Sequence, residues 1–326
     1  MTIDFVGFEE GEAVLDWLSV ARAIEAGHRL PRPILEDVIL RRGPDTLLNR
    51  SAWIDGLGLA VKAATVFPGN AAKGKPTIGG AVNLISDEDG AIEAILDFHL
   101  VTKWKTAGDS LLGALRLARP DSRAILVVGA GTVARSLLGA YAAGFPGARF
   151  TIWSRSRTSA EALAAEVPGV TVADDLAQAV TRADIVASAT MATEPVIRGE
   201  WLRPGTHLDL IGAYRPDMRE VDDEAIGRAR VFCDSRRTAG ETGEFLQPKA
   251  SGALREVVAD LYEPEVLRRT SPEEITLYKN GGGAHLDLMV SRHILEAWRA
   301  ARLRLTRPEP PRPAGRFRGS AGGRSR

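Results

Sequence analysis

Between Glu12 and Ala26, apolar residues fall at Val14, Leu15, Leu18, Val20, Ala21 and Ile24, the spacing of a helix with one buried face. Strand-like runs follow at Ala60–Phe67, Ala81–Ile85 and Ala91–Leu96. They are separated by Pro68-Gly69-Asn70, Gly79-Gly80 and Asp87-Glu88-Asp89-Gly90, which is turn chemistry. This predicts an α+β, mainly antiparallel first part. After Pro120-Asp121 the pattern changes. Short apolar strands at Ala124–Val128, Arg149–Trp153, Val170–Val172, Ile185–Ser188, His207–Ile211 and Val231–Asp234 alternate with helical segments, two of them alanine-rich (Ser159–Glu166 and Asp175–Val180). That alternation predicts an α/β fold with a doubly wound parallel sheet. Leu286–Leu303 is a long amphipathic helix candidate. From Arg307 the chain is rich in Pro, Gly and Arg, cannot bury a core, and is predicted to be a disordered basic tail (307–326).

Composition narrows the function classes. Lys+Arg and Asp+Glu both number 42, so no global basic field favours nucleic acid or a membrane surface. No apolar run reaches the roughly 18 residues a membrane span needs. Met1-Thr-Ile-Asp-Phe5 lacks the basic leader and apolar core of a signal peptide. The single cysteine, Cys233, sits in a strand-like run and suggests a buried thiol in a reducing compartment; a cytoplasmic location is the expectation. The five histidines are scattered without ligand spacing, so no metal is expected.

The chemistry concentrates at Ala124-Ile-Leu-Val-Val-Gly-Ala-Gly-Thr-Val-Ala134. A strand runs into Gly129, Gly131 and Ala134 and then into a helix-like segment, which is the G-x-G-x-x-A turn of a dinucleotide site. Gly129 permits the sharp turn, Gly131 lets backbone approach a pyrophosphate, and Ala134 lets the helix pack close. Thr132 and Val133 bracket the pyrophosphate, where the helix N-terminus offers free N–H groups. The next strand, ending at Trp153, is followed by Ser154-Arg155-Ser156-Arg157 in place of the carboxylate that binds an adenine ribose. Ser154, Arg155 and Arg157 match a 2′-phosphate, so NADPH is expected to be preferred, with NADH the alternative.

With this motif in place, Lys62-Ala-Ala-Thr-Val-Phe-Pro-Gly-Asn70, Gly74-Lys-Pro-Thr77, Thr102-Lys-Trp-Lys-Thr-Ala107, Glu194 to Leu202, Asp234-Ser235 and Glu273 to Asn280 together resemble the ornithine cyclodeaminase/mu-crystallin family, from about Ile34 to about Ala300. The resemblance implies a central Rossmann-type domain (119–287) and a split α+β substrate and dimerisation domain (1–118 with 288–306), hence a homodimer. It implies action at an amino or imino carbon next to a carboxylate. It also carries over residues. Lys62 matches the lysine that points at the substrate. Thr77 matches the threonine near the cofactor. Lys105 replaces the arginine of an Arg-Thr-Ala motif, keeping the charge but losing the bidentate fork, and serves both substrate and cofactor sides. The substrate-carboxylate arginine falls at Arg41 or Arg42. Arg50 stands where the family has an apolar residue, as an added carboxylate contact or a surface cation. Thr190 and Ile211 are expected on the nicotinamide side.

The departures select among activities. In the family's cyclodeaminases an aspartate handles the proton during ammonia loss; here Tyr214 stands at that position, and Asp217 lies beyond Pro216. A neutral phenol, with a reference pKa of about 10, is a poor general base. Reduction of a C=N bond needs less: a held carboxylate and a protonated nitrogen. Asn280-Gly-Gly-Gly-Ala-His-Leu-Asp287 resembles the Δ1-pyrroline-2-carboxylate reductase branch, with Asn280 and Gly281 closing the pocket. The expectation is reduction of a small cyclic imino acid, Δ1-pyrroline-2-carboxylate to L-proline, with Δ1-piperideine-2-carboxylate a second substrate, as in proline metabolism and hydroxyproline degradation. Lys62 orients the substrate, and Tyr214 bonds the ring nitrogen or walls the pocket. The alternatives are ornithine cyclodeaminase, alanine dehydrogenase, and a binding protein without turnover. The pocket is expected to lack a carboxylate beside the reacting carbon, and so to reduce a C=N bond without expelling an amine.

Overall fold

A computed structural model describes residues 2–306; the basic tail lies outside the described residues. The first sheet contains β1 (Asp4–Val6), β2 (Ile34–Arg42), β3 (Asp45–Ile54), β4 (Gly58–Val66), β5 (Ile78–Ile85) and β6 (Ile92–Asp97), with α1 (Phe8–Glu12) and α2 (Trp17–Gly27) between its first two strands. Its order is β1-β6-β5-β4-β3-β2. The pairs from β2 to β6 are antiparallel, and β1 joins β6 in parallel.

Helix α3 (Phe98–Leu117) leads into the second sheet. There β7 (Ala124–Val128), α4 (Thr132–Gly144), β8 (Arg149–Trp153), α5 (Arg157–Glu166), β9 (Val170–Val172), α6 (Leu176–Arg182), β10 (Ile185–Ser188), β11 (His207–Leu210), α7 (Asp223–Arg228), β12 (Arg230–Cys233), α8 (Arg236–Ala239), α9 (Gly243–Ser251), β13 (Ala259–Asp260) and β14 (Thr276–Lys279) follow in turn. The chain then forms α10 (Ala284–Thr306). The order is β13-β12-β14-β11-β10-β7-β8-β9, every pair parallel, the α/β arrangement that the alternating pattern predicts.

Such a sheet is covered on both faces, which is why its strands are continuously apolar. Ile125 and Val127 enter one core with Leu100, Leu111, Leu286 and Val290, while Leu126 and Val128 enter another with Val186, Leu208 and Leu277. Helix α3 joins the sheets. It packs on β5 and β6 at one side and on β11 and β14 at the other, with Gly113 against the Tyr278 ring, where a Cβ would lie 2.6 Å away. Helix α10 returns to pack on β3, β4 and β5.

Three local features differ from the sequence expectation. The strands β2 and β3 carry no clean alternation and are not marked by the pattern, yet they form a hairpin turned at Gly43, whose φ is 56°. Gly79 and Gly80 do not form a turn; they lie inside β5, paired with Thr65 and Ala64 of β4. The helix expected from Glu12 begins at Trp17 as α2, because Asp16 caps it by accepting the Ser19 N–H at 2.8 Å, and Phe8–Glu12 forms the separate α1.

Candidate active site

The register of the first sheet sets the site. Asp37, Arg50 and Lys62 are cross-strand neighbours on β2, β3 and β4. Two cations side by side repel unless carboxylates separate them. Asp37 accepts from Arg50 Nε at 2.9 Å, and Asp287, in the first turn of α10, accepts from Lys62 Nζ at 2.9 Å. Thr102 of α3 accepts a second Lys62 bond at 2.8 Å, and the Phe98 ring lies 4.6 Å from the ammonium. One turn along α3 from Thr102, Lys105 places its ammonium 3.6 Å from Asp287. Lys62, Lys105 and Asp287 are all buried.

The 280–283 loop closes this cluster from above. The Gly282 carbonyl accepts from both Arg50 and Lys105. Gly282 adopts a φ of 68°, and its N–H and that of Gly281 donate to the buried Asp234 carboxylate at 2.9 and 3.0 Å. Asn280 donates to the Thr106 carbonyl at 2.9 Å and to Ser110 Oγ at 3.1 Å, fixing the loop to α3. A cavity of about 230 Å³ opens beside Arg50, bounded by Leu35, Asp37, Thr238, Glu241 and Ala284.

The electrostatics follow from burial and charge. Burial pushes Lys105 down to about 8, against the pull of Asp287 and with the help of Lys62 and Arg50. Burial alone would raise Asp287, but the fields of Lys105, Lys62 and Arg50 hold it below the usual carboxylate range. Burial also raises Asp234, opposed by the backbone N–H groups it accepts.

The second sheet supplies a cradle for a dinucleotide. Gly129 follows β7 with φ of 118°, and a Cβ there would lie 2.6 Å from the Ala189 carbonyl oxygen. A Cβ on Gly131 would meet no protein atom within 4 Å, so the space above it is open. Gly131 is the N-cap of α4, which leaves the N–H groups of Thr132, Val133 and Ala134 without helical partners. Ala134 is buried. This shape fits a pyrophosphate. After β8, Ser154 is half-buried and Arg155 exposed. Arg157 pairs with Glu161 at 2.7 Å and also with Asp174, so a phosphate would have to compete with two carboxylates for it.

Several sequence-named residues are not gathered with Lys62. Arg41 and Arg42 lie opposite Thr46 and Asp45, four or more positions along β2 from Asp37, which is about 13 Å at 3.3 Å per residue. Both are exposed, and Arg42 pairs with Asp45 at 3.0 Å. Within the chain Arg50, not either of these, stands beside Lys62. Tyr214 is 58% exposed with the Arg215 guanidinium 5.7 Å from its ring centre, so it walls no closed space. Asp217 is held by Arg215 at 2.9 Å on the surface. Thr77 is half-buried just before β5, its carbonyl accepting from Phe67 N–H at 2.7 Å. Ile211 is buried, and Thr190 gives both its N–H and its hydroxyl to Glu220, at 2.7 and 2.8 Å.

Two carboxylates escape the sequence reading. Glu220 is buried and also accepts from Ser188 Oγ and Gly212 N–H, both at 2.6 Å, so one side chain pins the ends of β10 and β11. Asp287 is the more consequential. The expectation was a pocket with no carboxylate beside the reacting carbon; the structure buries one, Asp287, against Lys62. Its only sequence signal is an acid in the first turn of a helix, and that position is commonly acidic because of the helix dipole.

An α/β dinucleotide-type sheet whose strand ends meet a buried cation cluster from an antiparallel sheet defines a two-sheet nucleotide-dependent class. The profile of the ornithine cyclodeaminase/mu-crystallin family matches residues 54–302, and the chain belongs to that family. A Δ1-pyrroline-2-carboxylate reductase of Paracoccus denitrificans is 50% identical over 301 residues, 89% of this chain and 95% of its own. The ketimine reductase mu-crystallin of Mus musculus is 34% identical over 245 residues, 74% and 76% of the two chains. The solved structure of Thermococcus litoralis Δ1-pyrroline-2-carboxylate reductase, in complex with NADH and L-proline, has a TM-score of 0.83 at 24% identity, covering 92% of this chain and 98% of that one, a likeness of fold.

Proposed function

We propose that this chain is an NAD(P)H-dependent imine reductase that converts Δ1-pyrroline-2-carboxylate to L-proline, with Δ1-piperideine-2-carboxylate as a second substrate. The observation that carries the reading is the buried set Arg50, Lys62 and Lys105 around Asp287, capped by the Gly282 carbonyl. It offers fixed cations to a small carboxylate inside a water-poor site, where such contacts are strongest. A reduced nicotinamide, bound at the Gly129–Ala134 turn, supplies hydride. The chain's own residues do the rest. Arg50 and Lys105 take the substrate carboxylate, Lys62 fixes its orientation, and the 280–283 loop excludes water.

Amine expulsion needs a free base near the α-carbon. Asp287 is a poor one, since Lys62 and Lys105 both sit at its Oδ1 and three cations lower the proton affinity of the whole carboxylate. Tyr214 and Asp217 are on the surface. Cyclodeamination is thus disfavoured by a carboxylate of lowered proton affinity, not by a missing one.

The reading extends to NADPH preference through Ser154 and Arg155, and to a cytoplasmic homodimer. The exposed apolar residues Ile34, Val38, Leu40 and Trp53 on β2 and β3 support pairing between copies. The test follows NADPH and NADH absorbance with each cyclic imine and with pyruvate plus ammonia, and ammonia release from ornithine. Fastest turnover with a cyclic imine is expected; turnover confined to ornithine or to pyruvate plus ammonia overturns the reading.

A further inference from the structure

The cation cluster accounts for a substrate carboxylate but not for the other charged end of a cyclic imino acid. A protonated ring nitrogen is a donor, and a donor moved into a buried site needs an acceptor. Resting on the imine-reductase reading, we infer that Asp287 contacts the substrate directly, its Oδ2 accepting the N–H of the protonated ring nitrogen.

Three observations carry this. Asp287 Oδ2 is buried and has no hydrogen-bond partner among the described residues, while Oδ1 is the atom that accepts from Lys62 at 2.9 Å. The other acceptors beside these cations are already engaged: the Gly282 carbonyl receives Arg50 and Lys105, Thr102 Oγ1 receives Lys62, and Asp37 receives Arg50. The carboxylate also sits in the first turn of α10, where the helix dipole favours the ionised form. A zwitterion laid across the cluster thus meets cations at its carboxylate and Asp287 at its nitrogen. Asp287 neither gains nor loses a proton in this role. Its charge keeps the nitrogen protonated, and a protonated C=N is the electrophilic form. Ring nitrogen and carboxylate fixed at two points orient C2.

The alternative role is structural, with Asp287 only holding Lys62 in place. L-Proline and cyclopentanecarboxylate separate the two, because they share ring and carboxylate but only proline carries the nitrogen. Competitive inhibition constants for both are measured on the NADPH-saturated protein, for the wild type, Asp287→Asn and Asp287→Glu, with kcat/KM for Δ1-pyrroline-2-carboxylate alongside. A hydrogen bond to a charged group corresponds to about 10–100-fold in affinity. The wild type is expected to prefer proline by that factor. Asp287→Asn should lose most of the preference by weakening proline alone, Asp287→Glu should keep part of it, and NADPH affinity should stay unchanged. A wild type that binds both acids equally, or an Asp287→Asn protein that keeps the wild-type ratio while both bind more weakly, overturns the assignment. Neither result touches wild-type imine turnover; absence of that turnover is what fails the underlying reading.

Discussion

The buried Lys62–Asp287 pair makes a quantitative prediction about stability as well as activity. The side chains are 6% and 1% exposed, so solvent screening gives little relief. Removing one partner of a buried pair costs about 3–5 kcal/mol, because the survivor stays buried and uncompensated. The structure predicts unequal costs. Lys62→Met leaves Asp287 with Lys105 at 3.6 Å, which places the loss at the lower end, about 3 kcal/mol. Asp287→Leu leaves Lys62 and Lys105 facing each other beside Arg50, which places it at the upper end, about 4–5 kcal/mol. The double variant removes one charge of each sign and should cost less than the sum by about 2–4 kcal/mol. Urea unfolding of the four proteins, in low and in high salt, measures the cycle. Single effects that add to within about 0.5 kcal/mol, or a coupling abolished by salt, would refute the description of a buried compensated pair. Lys62→Met should also lose imine turnover while keeping NADPH affinity.

Other consequences are open to direct tests. Lys105 titrates at about 8, and its charged form is the one that holds a carboxylate. Affinity for pyrrole-2-carboxylate should therefore be greatest below pH 8 and fall by up to about tenfold per pH unit above it, and Lys105→Arg should remove that fall; a pH-independent wild-type affinity contradicts the role. Burial raises Asp209 to about 7 although Tyr141 donates to it at 2.7 Å. The folded state thus keeps a proton that the unfolded chain releases near pH 4, so stability should fall as pH rises from about 4 to 7 and level off above, by up to about 4 kcal/mol. Asp209→Asn should flatten that dependence in thermal unfolding, and an unchanged slope counts against it. Ser154→Asp should move cofactor preference toward NADH, read as the ratio of kcat/KM for the two cofactors; an unaltered ratio displaces the proposed 2′-phosphate contact.

The parallel sheet was legible because each strand is a compact apolar run buried on both faces, and because the Gly129–Ala134 turn needs particular residues at fixed offsets. The hairpin of β2 and β3 was not. Ile34, Val38, Ile39 and Leu40 remain exposed in the chain, so no core-facing alternation marks the strand. Without that hairpin the register Asp37–Arg50–Lys62 could not be seen, so Arg41, Arg42 and Arg50 all stood as candidates for a carboxylate contact, and only Arg50 proves to lie beside Lys62. Lys62 and Lys105 were singled out through the family resemblance, and the structure brings them together at Asp287. Asp287 was missed since it meets Lys62 across 225 positions of sequence, a separation no local pattern records. Glu220 was missed because its role, accepting hydrogen bonds from backbone and hydroxyl groups at the ends of β10 and β11, follows no residue pattern.

Hydride transfer to the carbon between a ring nitrogen and a carboxylate is the step on which the proposed function depends. It can be followed by supplying nicotinamide cofactor deuterated at the transferring position together with Δ1-pyrroline-2-carboxylate, and locating the label by NMR. L-Proline carrying one deuterium at Cα is expected. Unlabelled product, label at another carbon, or proline formed only from ornithine with release of ammonia would contradict it.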